Sequence, residues 1–469
     1  MTTSNAKLNL STKIGYGLAS FGDSVFYSVV ICFLVYYLTA IAEVAPGPAG
    51  TISSVALLVS AFVTLLVGHF SDNSTYRKGR RRHFVMVAAP VLTISFIAIF
   101  SSFGFTGTSA IIFYMIFVLL FWSSYCTFLV PYTALGAELT DCYVERTSIR
   151  SYTAFCIQVG GILGLAAPLY FASIAIDAGL SNSVAWTFAT TILGLLAATS
   201  IVVMLYTTRG RDRVLTESER DARKNIFYNY IQALKAKPTK YLLVIILVFT
   251  VINAIFAGNL TFYAIYRLGL QENITSSIYA LQFLCGAALA PLINLLARKT
   301  DKKIAFIIVY ILAACFIGIF TFIGVDSYIK LLLLAISFIF ANAGFWQLCT
   351  PILYDVAEVV ELNTGLRLEG SLSSLWSFLI QIGGSIASLI FGWTLHFSGF
   401  QEGSIVQSQS ALDTIVKLET IVPIIGCLII VATMVFFPIN KKTYALIQNA
   451  LKEKEEVGTF IKAGLKRIV

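Results

Sequence analysis

Along most of the chain, apolar residues continue for about twenty positions, give way to a short polar stretch, and begin again. A run of that length spans the roughly 30 Å hydrocarbon core of a bilayer as a helix. The runs are continuous and lack the two-residue alternation that strands of a membrane barrel require. Twelve helices are therefore predicted, at approximately 14–41, 48–70, 83–104, 108–137, 148–176, 183–207, 241–268, 274–297, 303–324, 328–357, 370–398 and 415–438. The one long polar connection, 209–240, falls after the sixth and separates six helices from six. The pattern predicts an N-terminal half over 1–208, a linker over 209–240, a second half over 241–440 and a tail over 441–469.

Composition strengthens this reading. Mean hydropathy is +0.83, and only 12% of residues are charged against 58% hydrophobic, too little polar surface to keep a body of this size dissolved. Seven of the eight cysteines (Cys32, Cys126, Cys156, Cys285, Cys315, Cys349 and Cys427) lie in apolar runs and Cys142 in a short connection, a distribution without a disulfide framework. The three histidines, His69, His83 and His396, match no zinc spacing. No nucleophile–base pair or metal cluster is visible, so no enzyme, cofactor or metal site is expected. The first fifteen residues are polar and lead into a full-length span without a small-residue cleavage site, so no removable signal peptide is expected.

Charge then orients the chain. Five of the six positions from Arg77 to Arg82 are Arg or Lys, which in a soluble protein would suggest a nucleic-acid patch. Here that run, the 209–240 connection, the stretch ARKTDKK (297–303) and the tail share one side if twelve spans alternate. The opposite loops hold almost no Lys or Arg, with Arg267 at the edge of one. Positive charge marks the cytoplasmic side, so both termini are expected there and no nucleic-acid partner is.

The two halves echo one another. Pro131 is followed seven residues later by Glu138 and fifteen later by Arg146; Pro351 is followed seven later by Glu358 and sixteen later by Arg367. The connection after the second span of each half carries an aspartate with basic residues, Asp72 in one and Asp301, Lys302 and Lys303 in the other. Such parallel repeats fit the major facilitator fold.

The motif Gly68, Ser71, Asp72, Arg77, Gly79, Arg80 resembles the loop 2–3 signature of major facilitator transporters. VPYTALGAELTDCYVERTSIRSY (130–152), YDVAEVVELNTGLRLEG (354–370) and STKIGYGLASFGDSVFY (11–27) resemble the glycoside–pentoside–hexuronide cation symporter family, which includes melibiose permease and animal lysolipid transporters. The resemblance covers the full length. It implies a cytoplasmic network of gating charges at Asp72, Arg77, Arg80, Glu138, Glu145, Arg146, Asp355, Glu358, Arg367 and Glu369. Acids at the ends of spans 4 and 10 would face arginines of the next connection in one state and part from them in the other.

The departures are informative. Sugar symporters of that family bind their cation with two aspartates in span 2; the matching positions here are Ser60 and Thr64, which keep oxygens but no charge. The sugar-binding acids and arginine of the melibiose-type members correspond to Ser24, Leu129 and Ala154, the span 4 aromatic to Thr133, and a span 11 lysine to Ile382, beside Gln381. Family resemblance therefore does not carry the solute with it.

Polar groups inside spans supply another candidate site. Asp23 lies about 13 Å into the first span at 1.5 Å per residue, and an acid there is a functional hypothesis by default. Tyr27 is one turn on. Gln158, Asn253, Asn259, Gln282, Asn342, Trp346, Gln347, Trp376 and Gln381 add amides and ring faces; Asn253 and Asn259, six apart, do not share a helix face. Gly160, Gly161, Gly383 and Gly384 read as close-packing points. The substrate set is thus Asp23, Tyr27, Thr133, Gln158, Asn253, Trp346, Trp376 and Gln381, and the cation set Asp23, Ser60 and Thr64.

The resulting expectation is a multi-pass protein of the cell membrane, working as a monomer, that moves a sugar- or glycoside-like small molecule by alternating access, with H⁺ or Na⁺ as coupling ion. An amphipathic or lipid-like solute, exported or uncoupled, is the alternative, and a non-transporting receptor the third reading.

Overall fold

The computed structural model describes residues 9–74, 81–139, 143–210, 232, 234–364, 369–404 and 406–447. Among them are twelve helices long and apolar enough to cross a membrane and no strands. They are α1 Leu10–Tyr36, α2 Pro46–Asn73, α3 Arg82–Ile99, α4 Gly107–Glu138, α5 Tyr143–Asp177 and α6 Asn182–Thr207, then α7 Lys237–Phe262, α8 Glu272–Lys299, α9 Lys302–Ile323, α10 Tyr328–Thr364, α11 Glu369–Phe397 and α12 Gln409–Phe436. Helix is the form that satisfies every backbone polar group within one segment in lipid.

Several helices outrun their apolar stretch. α5 begins at Tyr143 and α10 continues to Thr364, because hydropathy marks only the part in hydrocarbon while the hydrogen-bond ladder continues into the polar ends. α1 and α7 each close in a five-residue π turn, Tyr37–Ile41 and Tyr263–Arg267. Pro131 and Pro351 lie inside α4 and α10.

The chain clusters into two compact units. One comprises Met1–Glu217, Ala257–Phe283 and Ser385–Val416; the other comprises Ser218–Phe256, Leu284–Gly384 and Lys417–Val469. In the first, α1 packs along α5 and α6, and α4 along α2 and α3. Small residues let these helices approach. A Cβ on Gly160 would stand 2.5 Å from the Phe21 carbonyl oxygen, and one on Gly161 would collide with the Phe283 ring. Between α2 and α11, a Cβ on Gly50 would lie 2.5 Å from the Ser388 oxygen, and the hydroxyls of Ser54 and Ser385 meet at 2.9 Å. Such close backbone contact is how membrane helices associate without a hydrophobic drive.

In the second unit α9 packs on α10, and a Cβ on Gly383 would come within 2.8 Å of Thr250 Cβ. Large apolar side chains such as Ile94, Val202 and Phe322 are exposed, the surface that a lipid-facing helix presents.

Candidate solute and ion site

In the first unit the site is built on α1 and α4. Asp23 is half-buried and its Oδ1 accepts a hydrogen bond from Tyr125 Oη–H at 2.7 Å. Tyr27, one turn on along α1, places its ring 6.1 Å from both Trp122 and Tyr125. The Trp122 indole NH is buried and makes no hydrogen bond. A carboxylate, a tyrosine hydroxyl and three ring faces are thus gathered in one place. Tyr16 and Tyr132 brace the same pair of helices: each hydroxyl donates to the other residue's carbonyl, at 3.1 and 2.9 Å.

Sequence reasoning found Asp23 and Tyr27 but missed Trp122 and Tyr125. The available signal was WSSY (122–125), a polar interruption in an otherwise apolar span. Thr133 and Gln158 are exposed, with Thr133 Oγ1 donating to the Val130 carbonyl. Ser60 and Thr64 of α2 donate to the carbonyls of Leu57 and Ser60. Such a bond uses the hydroxyl proton and leaves oxygen lone pairs as possible cation ligands.

The second unit holds the remaining candidates. Asn342 donates to Asn253 Oδ1 at 2.6 Å, joining α10 to α7. Asn259, six residues beyond Asn253, belongs to the first unit and donates to the Ile415 carbonyl, so the two amides do serve different contacts. Trp346 is half exposed, with its ring 6.4 Å from that of Trp376 and 5.3 Å from that of Phe345; Phe345 stacks on Phe249 at 3.7 Å. These rings form an aromatic shelf. Gln381 is half-buried beyond it on α11, and Gln347 accepts from Asn294 at 3.1 Å.

Of the predicted gating charges, Glu145, Asp355 and Glu358 have partners in view. Glu145 is buried and pairs with Lys13 of α1 at 2.8 Å. Asp355 takes Lys302 Nζ on both oxygens at 2.7 Å, and Lys302 also lies over the Tyr444 ring, whose hydroxyl donates to Glu358. The cation at Asp355 is thus a lysine from α9. Arg77, Arg80 and Arg367 lie outside the described residues, as do the side chains of Asp72, Glu138, Arg146 and Glu369. Arg81 and Arg82, which read as orientation charges, are buried, and Arg82 donates to the Leu205 carbonyl near the end of α6, as basic residues do at helix C-termini.

Two further acids escaped the sequence reading. Glu419 in α12 is fully buried, more enclosed than Asp23. Glu272, in the first turn of α8, accepts from Tyr36 Oη–H at 3.2 Å.

Twelve helices able to cross a membrane, packed through small residues and carrying polar groups within their spans, define a polytopic helical membrane protein. The chain belongs to the MFS/sugar transport protein family, whose model matches residues 15–441. It is 25% identical over 427 residues to the putative glycoside/cation symporter YagG of Escherichia coli, covering 89% of this chain and 90% of that one. It is 24% identical over 458 residues to the inner membrane symporter YicJ of the same organism, covering 95% and 94%. The fold is that of the nucleoside transporter NupG, with a TM-score of 0.66, 12% identity, and 91% and 99% of the two chains covered. The protein is therefore a multi-pass transporter of the cell membrane and not an enzyme.

Proposed function

We propose that the protein carries a sugar- or glycoside-like solute by alternating access, coupled to H⁺ or Na⁺. The observation that carries this reading is the cluster of Asp23, Tyr27, Trp122 and Tyr125. A carboxylate accepts hydrogen bonds from neighbouring sugar hydroxyls, and aromatic faces cover the apolar side of a pyranose ring. Trp346 and Trp376 offer a second stacking surface, with Asn253, Gln158, Gln381 and Thr133 as further polar contacts. The similarity to a putative glycoside/cation symporter supports the same solute class.

Asp23 would carry the coupling proton. For Na⁺, its carboxylate would act with the oxygens of Ser60 and Thr64, since hard cations select oxygen ligands. The loop charges Asp72, Arg77, Arg80, Glu138, Glu145, Arg146, Asp355, Glu358, Arg367 and Glu369 would form and break contacts on the cytoplasmic side as the two six-helix halves, 1–208 and 241–440, alternate. The 209–240 linker, the 441–469 tail and both termini would face the cytoplasm, and the protein would act as a monomer.

The test is uptake of labelled methyl glycosides and glucuronides into proteoliposomes under an imposed H⁺ or Na⁺ gradient. Uptake stimulated by either gradient is expected. Transport of a lysolipid with no glycoside moved would overturn the solute class, and gradient-independent uptake would overturn the coupling.

A further inference from the structure

Where α1 ends and α8 begins, the first unit holds a half-buried acid, Glu272, that pairs with no cation among the described residues. Glu272 accepts the Tyr36 hydroxyl at 3.2 Å through Oε1. Its Oε2 is buried and has no hydrogen-bond partner. The Trp186 indole NH faces the same carboxyl and is likewise buried without a completed hydrogen bond. The groups facing Glu272 are Tyr36 from α1, Trp186 from α6 and Tyr266 from the π turn after α7. Rings close the box: Tyr36 lies 5.8 Å from Trp186 and 5.7 Å from Phe262, and Phe262 lies 5.8 Å from Tyr266. Arg267, the cation nearest in sequence, is exposed.

A carboxylate in this box would hold one oxygen out of water with no counter-charge, which burial penalises heavily. A carboxylic acid carries its proton on the carboxyl and still accepts from Tyr36. The same residue bridges the last turn of α1 and the first turn of α8. We propose that Glu272 is a proton-binding site: its protonated form holds the end of α1 against the start of α8, and release of the proton to water parts them. This rests on reading the chain as an alternating-access carrier, but its test needs no solute, so the two can fail separately.

Two measurements on the reconstituted full chain decide it. Infrared difference spectra between acidic and alkaline buffer should show a carboxyl C=O band that Glu272→Gln loses and Asp23→Asn keeps. Hydrogen exchange in segments 36–44 and 268–280, corrected for the chemical rate, should rise severalfold at alkaline pH in the parent, while Glu272→Gln, a permanent neutral mimic, stays protected. An unaltered infrared spectrum in Glu272→Gln, or the same rise in exchange, overturns the proposal. Should Glu272→Gln fail to fold, Tyr36→Phe decides. Losing its hydrogen bond must shift the carboxyl band, and an unmoved band overturns the assignment.

Discussion

At the scale of single residues, the chemistry rests on a few polar groups that the apolar runs can hardly tolerate. Asp23→Asn keeps the shape of the side chain and its contact with Tyr125 but removes the titrating proton. Uptake in proteoliposomes measured across pH should lose its pH dependence, and an unchanged profile would remove Asp23 from coupling. Tyr125→Phe deletes one hydrogen bond between α1 and α4. It should cost about 0.6 kcal/mol, the average for such bonds between membrane helices, read as a modest fall in unfolding midpoint in mixed detergent. If Ser60 and Thr64 hold Na⁺, the double change to Ala and Val should abolish Na⁺ stimulation while leaving any H⁺-driven uptake intact. Asp23 was legible because it is an acid standing alone in an apolar run. Glu272 and Glu419 were not, because each lies near a span end among polar neighbours, as in ENITSS and KLET, where a charge reads as facing the interface. Only packing reveals that Glu419 is fully buried and that Glu272 keeps one carboxyl oxygen out of water.

At the scale of elements, all twelve spans were legible, most ends to within a few residues, since the bilayer imposes a length on each. The third helix stops at Ile99, short of the expected 104, and α10 and α12 overrun theirs by six or seven residues. Finer details were not legible. A π turn differs from an α turn by one residue and leaves no compositional mark. The depth of a lysine such as Lys302 depends on which helix passes it. That lysine joins α9 to α10 through a bidentate contact with Asp355, whose side chain is 10% exposed against 38% for the lysine. Lys302→Ala strands the acid. The expected loss is about 2 kcal/mol, below the roughly 3–5 kcal/mol of a fully buried pair because the lysine keeps much of its hydration. Lys302→Met with Asp355→Leu should restore most of it, as thermal unfolding in detergent would report. Between α2 and α11, Gly50 meets the Ser388 oxygen and the Gly392 backbone. Gly50→Leu should therefore drive these helices apart and reduce uptake severely while membrane insertion is preserved.

At the scale of the whole molecule, the fold was readable from the spacing of the apolar runs and the paired Pro–Glu–Arg segments, and the family from the resemblance of the loop after α2 and of segments 11–27, 130–152 and 354–370 to known transporters. The solute was not, because the positions that the resemblance assigns to sugar binding carry Ser24, Leu129 and Ala154 here. The distribution of Lys and Arg predicts that both termini lie in the cytoplasm. In a bacterial host, a green fluorescent protein fused to the C-terminus should fluoresce and an alkaline phosphatase fused there should stay inactive; the reverse would invert the orientation. The matching π turns that close α1 and α7 bear on a different question. Each is a local surplus of one residue, and the two occupy the same place in the first helix of either half. If the two halves descend from one six-helix unit, a single insertion present before the doubling would account for both turns. YLTAI and YAIYR would then be two descendants of one ancestral event, with a shared backbone irregularity outlasting most of the sequence that first produced it.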